Sequence, residues 1–91
     1  MERLTTLIDV AGLAARLRDP DVAVLDCRFD LARPTWGDEA WAAGHVPGAL
    51  RADLDRDLSS PIGPKTGRHP LPDPAAFASR ASAWGIDERV Q

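Results

Sequence analysis

The side chain best suited to chemistry in this sequence is His45, which lies in the turn signal Gly-His-Val-Pro-Gly-Ala of residues 44–49. Histidine can exchange a proton near neutral pH. Gly44 suits the left-handed end of a helix, and Pro47 followed by Gly48 suits a type II turn. His45 is therefore expected between a helical turn and a strand, where functional residues are common in α/β proteins. Alternatively, its ring only hydrogen-bonds to the backbone and holds the turn.

The second candidate is Cys27, the single cysteine of the chain. A nucleophilic cysteine needs a glycine-rich loop or a helix N-terminus that stabilises its thiolate. Cys27 instead follows the apolar run 22–25 and Asp26. The sequence therefore predicts a small buried core residue. A nucleophilic role stays open because Arg28 next to it could lower the pKa of the thiol.

Two further candidates, Arg68 and His69, lie in a proline-rich segment. A rigid loop that offers a cation could contact an anionic substrate or a neighbouring domain. The equally simple alternative is a solvated loop that Leu71 holds in place.

A metal site is not expected. Asp53, Asp55 and Asp57 alternate like calcium ligands, but an EF-hand loop counted from Asp53 has Leu58 in place of glycine and Pro64 in place of glutamate. Two histidines and one cysteine at these separations also give no zinc pattern. We therefore expect neither a metal nor another cofactor.

The elements around these residues indicate an α/β fold with a mainly parallel central sheet flanked by helices. Residues 6–8 could form a first strand, and Asp9 then caps a helix whose apolar stripe spans residues 10–17. Residues 22–26 are predicted to form a central parallel strand, because residues 22–25 are continuously apolar. A short helical segment at 39–43 precedes the His45 turn, and residues 49–52 follow it as a strand.

The remainder of the chain is a long loop and one helix. Five prolines, at positions 61, 64, 70, 72 and 74, exclude long regular structure between residues 53 and 74. Asp73 and Pro74 open a helix that Gly85 closes in a Schellman motif with Ile86. Its apolar positions, Phe77, Ala81 and Trp84, are predicted to face the core, and Trp36 and Trp41 to pack in the core or at a domain interface.

Three candidate strands are too few for a covered sheet, and the last helix should lead into a further strand. Residues 1–91 are therefore expected to form one incomplete domain, which either a longer parent chain or another chain completes. The formal net charge of −3 and the lack of a long apolar run argue against nucleic acid and membrane as partners. The N-terminus has no signal-peptide pattern, and a single cysteine fits the cytoplasm.

Three motifs resemble the rhodanese family: residues 24–28 (Val-Leu-Asp-Cys-Arg), the hexapeptide 44–49, and residues 67–72 (Gly-Arg-His-Pro-Leu-Pro). The third motif is similar to the first domain of tandem-domain thiosulfate and 3-mercaptopyruvate sulfurtransferases. The resemblance runs from about Leu7 to Gln91.

The resemblance implies a sulfurtransferase that moves a sulfane sulfur through a cysteine persulfide to a thiophilic acceptor. In tandem members that cysteine belongs to the second domain, and the first domain forms one wall of the cleft. The second domain and the catalytic loop are absent from these 91 residues, which should be inactive alone. The resemblance also implies that His45 lies at the cleft wall and assists proton transfer with an acid, for which Asp38 or Glu39 is the candidate.

Two rival interpretations remain. One is a non-catalytic rhodanese-like module that binds or regulates a partner. The other is a phosphatase, since one group of dual-specificity phosphatases shares the rhodanese fold. The missing catalytic loop would separate sulfur from phosphate as the ligand.

Overall fold

A computed structural model describes residues 3–91. Three helices and two short strands alternate along the chain: α1 (Val10–Arg16), β1 (Leu25–Asp26), α2 (Trp36–Ala43), β2 (Leu50–Arg51) and α3 (Pro74–Ala83). The strands are parallel, with Leu25 opposite Leu50 and Asp26 opposite Arg51. The predicted α/β class with parallel strands is confirmed, and both strands are shorter than predicted.

A second neighbour begins to pair with the other edge of the central strand. The Gln91 N–H donates to the Asp21 carbonyl at 2.7 Å, and the Ala23 N–H donates to the Gln91 carbonyl at 2.7 Å. This is the hydrogen-bond pattern of a parallel pair. The expected return of the chain to the sheet after the last helix is therefore present, as far as Gln91.

The prediction of a first strand at residues 6–8 is wrong. Leu7 is 92% exposed, and no strand is assigned there within residues 3–91. A hydrogen bond from the Leu4 N–H to the Gln91 side-chain oxygen, at 2.6 Å, joins the segment just before residues 6–8 to the end of the chain. A lone segment without a ladder partner gains too little to become a strand.

The predicted helix ends are confirmed where a local signal sets them. Asp9 accepts a hydrogen bond from the Gly12 N–H, and Asp73 accepts one from the Ala76 N–H. Gly85 has a φ of 78°, and the Ile86 N–H donates to the Ala81 carbonyl as in a Schellman motif. Helix α2 begins at Trp36, three residues earlier than predicted, so the loop before it is shorter.

The core-facing stripes predicted for α1 and α3 are not buried. Neither helix has a buried residue; Val10 is 87% exposed, and Phe77 of the predicted α3 stripe is also exposed. Within residues 3–91 the buried apolar side chains are those of Ala49 and Ala52. The stripes have the right period, but the described chain supplies too few neighbours to cover them.

Candidate functional site

The loop between α2 and β2 presents His45. Pro47 and Gly48 form the predicted type II turn, in which Gly48 has a φ of 80° and the Ala49 N–H donates to the Val46 carbonyl at 2.9 Å. Gly44 departs from prediction, since its φ of 175° is extended backbone rather than left-handed. The helix still ends there, because the chain leaves Gly44 in an extended direction toward the turn.

An ion pair ties this loop to the end of β1. The Arg28 Nε donates to both carboxylate oxygens of Asp26, at 3.0 and 3.1 Å, and its Nη2 donates to Oδ2 at 2.8 Å. The same Nη2 donates to the Gly44 carbonyl at 2.8 Å. The side-chain hydrogen bond from Arg28 holds the pKa of Asp26 below its usual range. Two motifs that lie 16 residues apart in sequence therefore meet through one guanidinium.

This ion pair predicts how stability responds to acid. Because the native pKa of Asp26 is lowered, its stabilising contribution is complete above the ordinary aspartate pKa of about 3.9 and is lost as the pH falls through the native value. Asp26→Asn should therefore be less stable than wild type at pH 7, with a difference that shrinks toward pH 3. Urea unfolding of the longer protein across this range measures the difference. Glu88→Gln is the matched control, and an Asp26→Asn difference that does not change with pH would contradict the prediction.

His45 is held by Trp41, one helical turn before it. Its Nδ1 lies 2.7 Å from the Trp41 carbonyl oxygen, and its ring stacks on the indole at a centroid distance of 4.1 Å and an interplanar angle of 9°. The indole Nε1 in turn donates to the Ala49 carbonyl at 3.0 Å, across the turn. The His45 residue itself stays exposed. The ring is therefore both fixed in direction and open to solvent.

His45 and Cys27 line one open cavity of about 400 Å³, which we call the His45 cavity. Its other lining residues are Val24, Leu25, Asp26, Arg28, Gly44, Val46 and Ala49. The prediction that Cys27 is buried is wrong, because the residue is exposed at the carboxyl end of β1. Desolvation, and next the Asp26 charge, raise the pKa of its thiol. A raised pKa disfavours the thiolate that a nucleophile needs.

The acid candidates Asp38 and Glu39 are engaged elsewhere. Arg56 donates to Asp38 at 2.8 and 3.1 Å and Arg51 at 2.8 Å, so these guanidinium groups hold the pKa of Asp38 far below its usual range. Arg33 donates to Glu39 at 2.7 Å. No hydrogen bond within residues 3–91 joins either acid to His45. At neutral pH Asp38 is therefore a fixed anion.

Arg51 of β2 links α2 and β1 through hydrogen bonds. Besides Asp38, it donates to the Asp26 carbonyl at 2.9 Å and the Ala52 carbonyl at 3.2 Å. Gly37 is buried against it, and a Cβ there would collide with the Arg51 guanidinium and the Arg28 carbonyl oxygen. The start of α2 is thus packed onto the ends of both strands, which sets where the helix delivers His45.

Two of the three alternating aspartates, Asp53 and Asp57, hold the turn that follows β2. Asp53 is 3% exposed and accepts from the N–H groups of Asp55 and Arg56. Asp57 accepts from the Asp53 N–H at 2.8 Å and pairs with Arg80 of α3 at 3.1 Å. Within residues 3–91 no group of three metal-ligating side chains converges. The aspartates instead close a turn and tie it to α3.

Arg68 and His69 line a second cavity of about 170 Å³, the His69 cavity, whose other lining residues are Phe29, Leu31, Pro34, Asp55 and Ile62. The His69 Nε2 lies 3.2 Å from Asp55 Oδ1, and the ring meets Phe29 edge to face at 6.1 Å. None of the ion pairs within residues 3–91 includes Arg68. The sequence candidates therefore divide between two cavities, with His45 in one and this basic pair in the other.

Sequence reasoning missed the roles of Trp41 and Arg51. The signal for Trp41 was its position four residues before His45 in a helical segment, where side chains share a face. Arg51 gave no such signal, because its partners come from separate parts of the chain.

The fold is similar to that of a known class of enzyme, the sulfurtransferases. It aligns over 91% of its length with 3-mercaptopyruvate sulfurtransferase from Leishmania major, with a TM-score of 0.81 and 34% sequence identity. The aligned part is 22% of that chain. The α/β fold of the described residues is therefore rhodanese-like, as the sequence motifs indicate.

Similar sequences agree with the structural match. The chain is 51% identical over 86 residues to a Pseudomonas aeruginosa protein named "Probable 3-mercaptopyruvate sulfurtransferase", covering 93% of this chain and 30% of that protein. It is 34% identical over 88 residues to Thiosulfate/3-mercaptopyruvate sulfurtransferase 1, mitochondrial, from Arabidopsis thaliana, covering 91% and 21%. The chain thus spans less than a third of the length of these relatives. No protein-family model matches it.

Among residues 3–91 no helix is long and apolar enough to cross a membrane.

Proposed function

We propose that the chain is the N-terminal part of a tandem-domain, rhodanese-type sulfurtransferase. In this proposal the longer protein moves a sulfane sulfur from thiosulfate or 3-mercaptopyruvate to a thiophilic acceptor, through a persulfide on a cysteine of its second domain. The observation that carries the proposal is the 51% identity to the Pseudomonas aeruginosa protein over nearly the whole chain. The structural match to the Leishmania major enzyme supports it.

In this role residues 1–91 supply a wall of the cleft, and they need no cofactor or metal. His45 takes part in proton transfer from the exposed side of its loop, and Asp38 contributes a fixed negative charge to the same α2 segment. Arg68 and His69 bind the anionic sulfur donor in the His69 cavity, where Arg68 provides a guanidinium outside the ion pairs of residues 3–91. The low cysteine content supports a reducing compartment, and we place the protein in the cytoplasm.

A product assay tests the proposed activity. The longer protein should release thiocyanate from thiosulfate and cyanide, or pyruvate from 3-mercaptopyruvate and a thiol. p-Nitrophenyl phosphate serves as the control substrate, because its hydrolysis would favour a phosphatase instead. If the folded protein forms none of these products, the proposal fails and a binding or regulatory module is the better interpretation.

The second domain and the following strand are also part of the proposal. Gln91 pairs with residues 21–23 on the edge of the central strand opposite β2, and a strand that continued in this register would next reach Leu25. This continuation would cover the sheet edge, and the second domain would cover the exposed apolar side chains.

The isolated 91-residue chain should therefore associate. Its exposed apolar side chains, among them Leu7, Val10, Ile62 and Leu71, and its open sheet edge favour contacts between copies. Sedimentation velocity should show a mass that increases with concentration, and joining the rest of the longer protein in cis should suppress this increase. A compact monomer with a sharp thermal transition would contradict the expectation.

A further inference from the structure

We infer that Trp41, rather than a carboxylate, is the positioning residue of His45, and that it leaves the His45 Nε2 as a hydrogen-bond acceptor open to the cleft. The inference deepens the proposed function and depends on it only for its catalytic consequence. It starts from the identity of the atom that His45 contacts. A backbone carbonyl oxygen can only accept a hydrogen bond, so the His45 Nδ1, 2.7 Å from the Trp41 oxygen, must carry the proton.

The proton on Nδ1 decides what the other nitrogen can do. In a neutral imidazole with Nδ1–H, the Nε2 has a free lone pair and accepts a hydrogen bond or a proton. No partner of Nε2 is found within residues 3–91, and the residue is exposed at the rim of the His45 cavity. An O–H or S–H group of the substrate or of the second domain can therefore approach this nitrogen.

The indole fixes the plane of the ring, while the Trp41 backbone carbonyl fixes its tautomer. The planes of the two rings are nearly parallel, at 9°, with their centroids 4.1 Å apart, so turning the imidazole out of this plane would break the stack. The indole is itself fixed by its hydrogen bond to the Ala49 carbonyl at 3.0 Å. Trp41 thus provides, from one residue, the acceptor and the support that an aspartate provides in a catalytic triad. Asp38 is already bound by Arg51 and Arg56 and is not required for this task.

Nitrogen NMR of the longer protein, labelled with ¹⁵N-histidine, tests the inference directly. Two-bond proton–nitrogen correlations distinguish a protonated from a bare ring nitrogen, and the His45 signals are identified by their loss in His45→Gln. The neutral His45 should show Nδ1–H and a bare Nε2. Asp38→Asn should leave this pattern unchanged. Trp41→Leu keeps the backbone carbonyl of residue 41 but removes the stack that holds the imidazole against it, so the fraction of His45 with Nδ1–H should fall toward the mixture of tautomers that a free ring shows. A wild-type His45 with a protonated Nε2, or a tautomer that responds to Asp38→Asn and not to Trp41→Leu, would overturn the inference.

Kinetics supply the second measurement. Trp41→Leu should lower kcat by about 10- to 100-fold, the order expected for loss of orientation, while the KM for the sulfur donor stays constant. Trp36→Leu, at the other end of α2, is the matched control and should leave turnover per folded molecule unchanged. If Trp41→Leu does not fold, Trp41→Phe is measured in its place. Phenylalanine keeps an aromatic face for the stack, so His45 should retain the wild-type tautomer. Because the wild-type spectrum decides the tautomer without any turnover, failure of the sulfurtransferase assay and failure of this inference are distinguishable.

Discussion

The 91-residue chain, assayed alone, should release no thiocyanate from thiosulfate and cyanide above the rate without protein. Persulfide chemistry needs a thiolate, and thiolates form where backbone N–H groups or cations stabilise the charge. The single thiol of the chain, Cys27, is in the opposite situation, because desolvation and the Asp26 carboxylate raise its pKa. The neighbouring Arg28 does not relieve this, since its guanidinium is occupied by Asp26 and the Gly44 carbonyl.

Cys27→Ser is the variant that makes this test decisive. Turnover by the isolated chain that disappears in Cys27→Ser would identify Cys27 as a nucleophile and would contradict the proposal that the persulfide forms on the second domain. In the longer protein, Cys27→Ser should leave sulfur transfer in place. A folded longer protein that loses activity on this substitution would lead to the same contradiction.

Features that depend on a few adjacent residues could be predicted from the sequence. Asp9 and Asp73 cap their helices because an aspartate side chain reaches the N–H three residues later. Gly48 and Gly85 adopt the positive φ that a type II turn and a Schellman motif require. These signals are complete within the chain segment that they shape, so no distant neighbour can change them.

Features that depend on distant partners could not be predicted. The apolar residues of α1 recur with a helical period, yet Val10 is 87% exposed. A sequence pattern shows which face of a helix is apolar, but it does not show whether another element packs against that face. The same reason explains Cys27, whose apolar neighbours suggest burial while the described chain leaves its side chain at an open cavity.

The candidate site shows the same division. The turn around His45 and a hydrogen bond from its ring to the backbone could be predicted, but the residue whose carbonyl accepts that bond could not. The family resemblance implies a nearby carboxylate, and the structure instead pairs Asp38 with Arg51 and Arg56. An ion pair between distant positions decides this, since Arg56 lies 18 residues after Asp38. The partner of His45 is a backbone carbonyl. Because every residue has one, the residue types in the sequence do not indicate which carbonyl accepts the bond.

In the longer protein, His45→Asn should lower kcat by about 10²- to 10⁴-fold, the usual contribution of a general acid or base and equal to roughly 3–5 kcal/mol of barrier. Asparagine can keep one hydrogen bond, from its amide N–H to the Trp41 carbonyl, but it cannot exchange a proton near neutral pH. The fold should therefore change little while proton transfer is lost. Steady-state kinetics together with the melting temperature measure the two effects separately.

His45→Ala is the matched comparison, because it removes the hydrogen bond and the ring together. If His45 serves the turn alone, His45→Ala should cost about 0.5–1.5 kcal/mol of stability for the lost hydrogen bond, since the site is exposed and water can bind the carbonyl, and turnover per folded molecule should stay constant in both variants. If His45 exchanges protons, both variants should lose similar turnover, and the alanine variant should lose more stability than the asparagine variant. The exposed ring, fixed by Trp41 with its Nε2 free, leads us to expect the second result. Full turnover in His45→Asn would assign His45 to the turn and remove it from the proposed cleft chemistry.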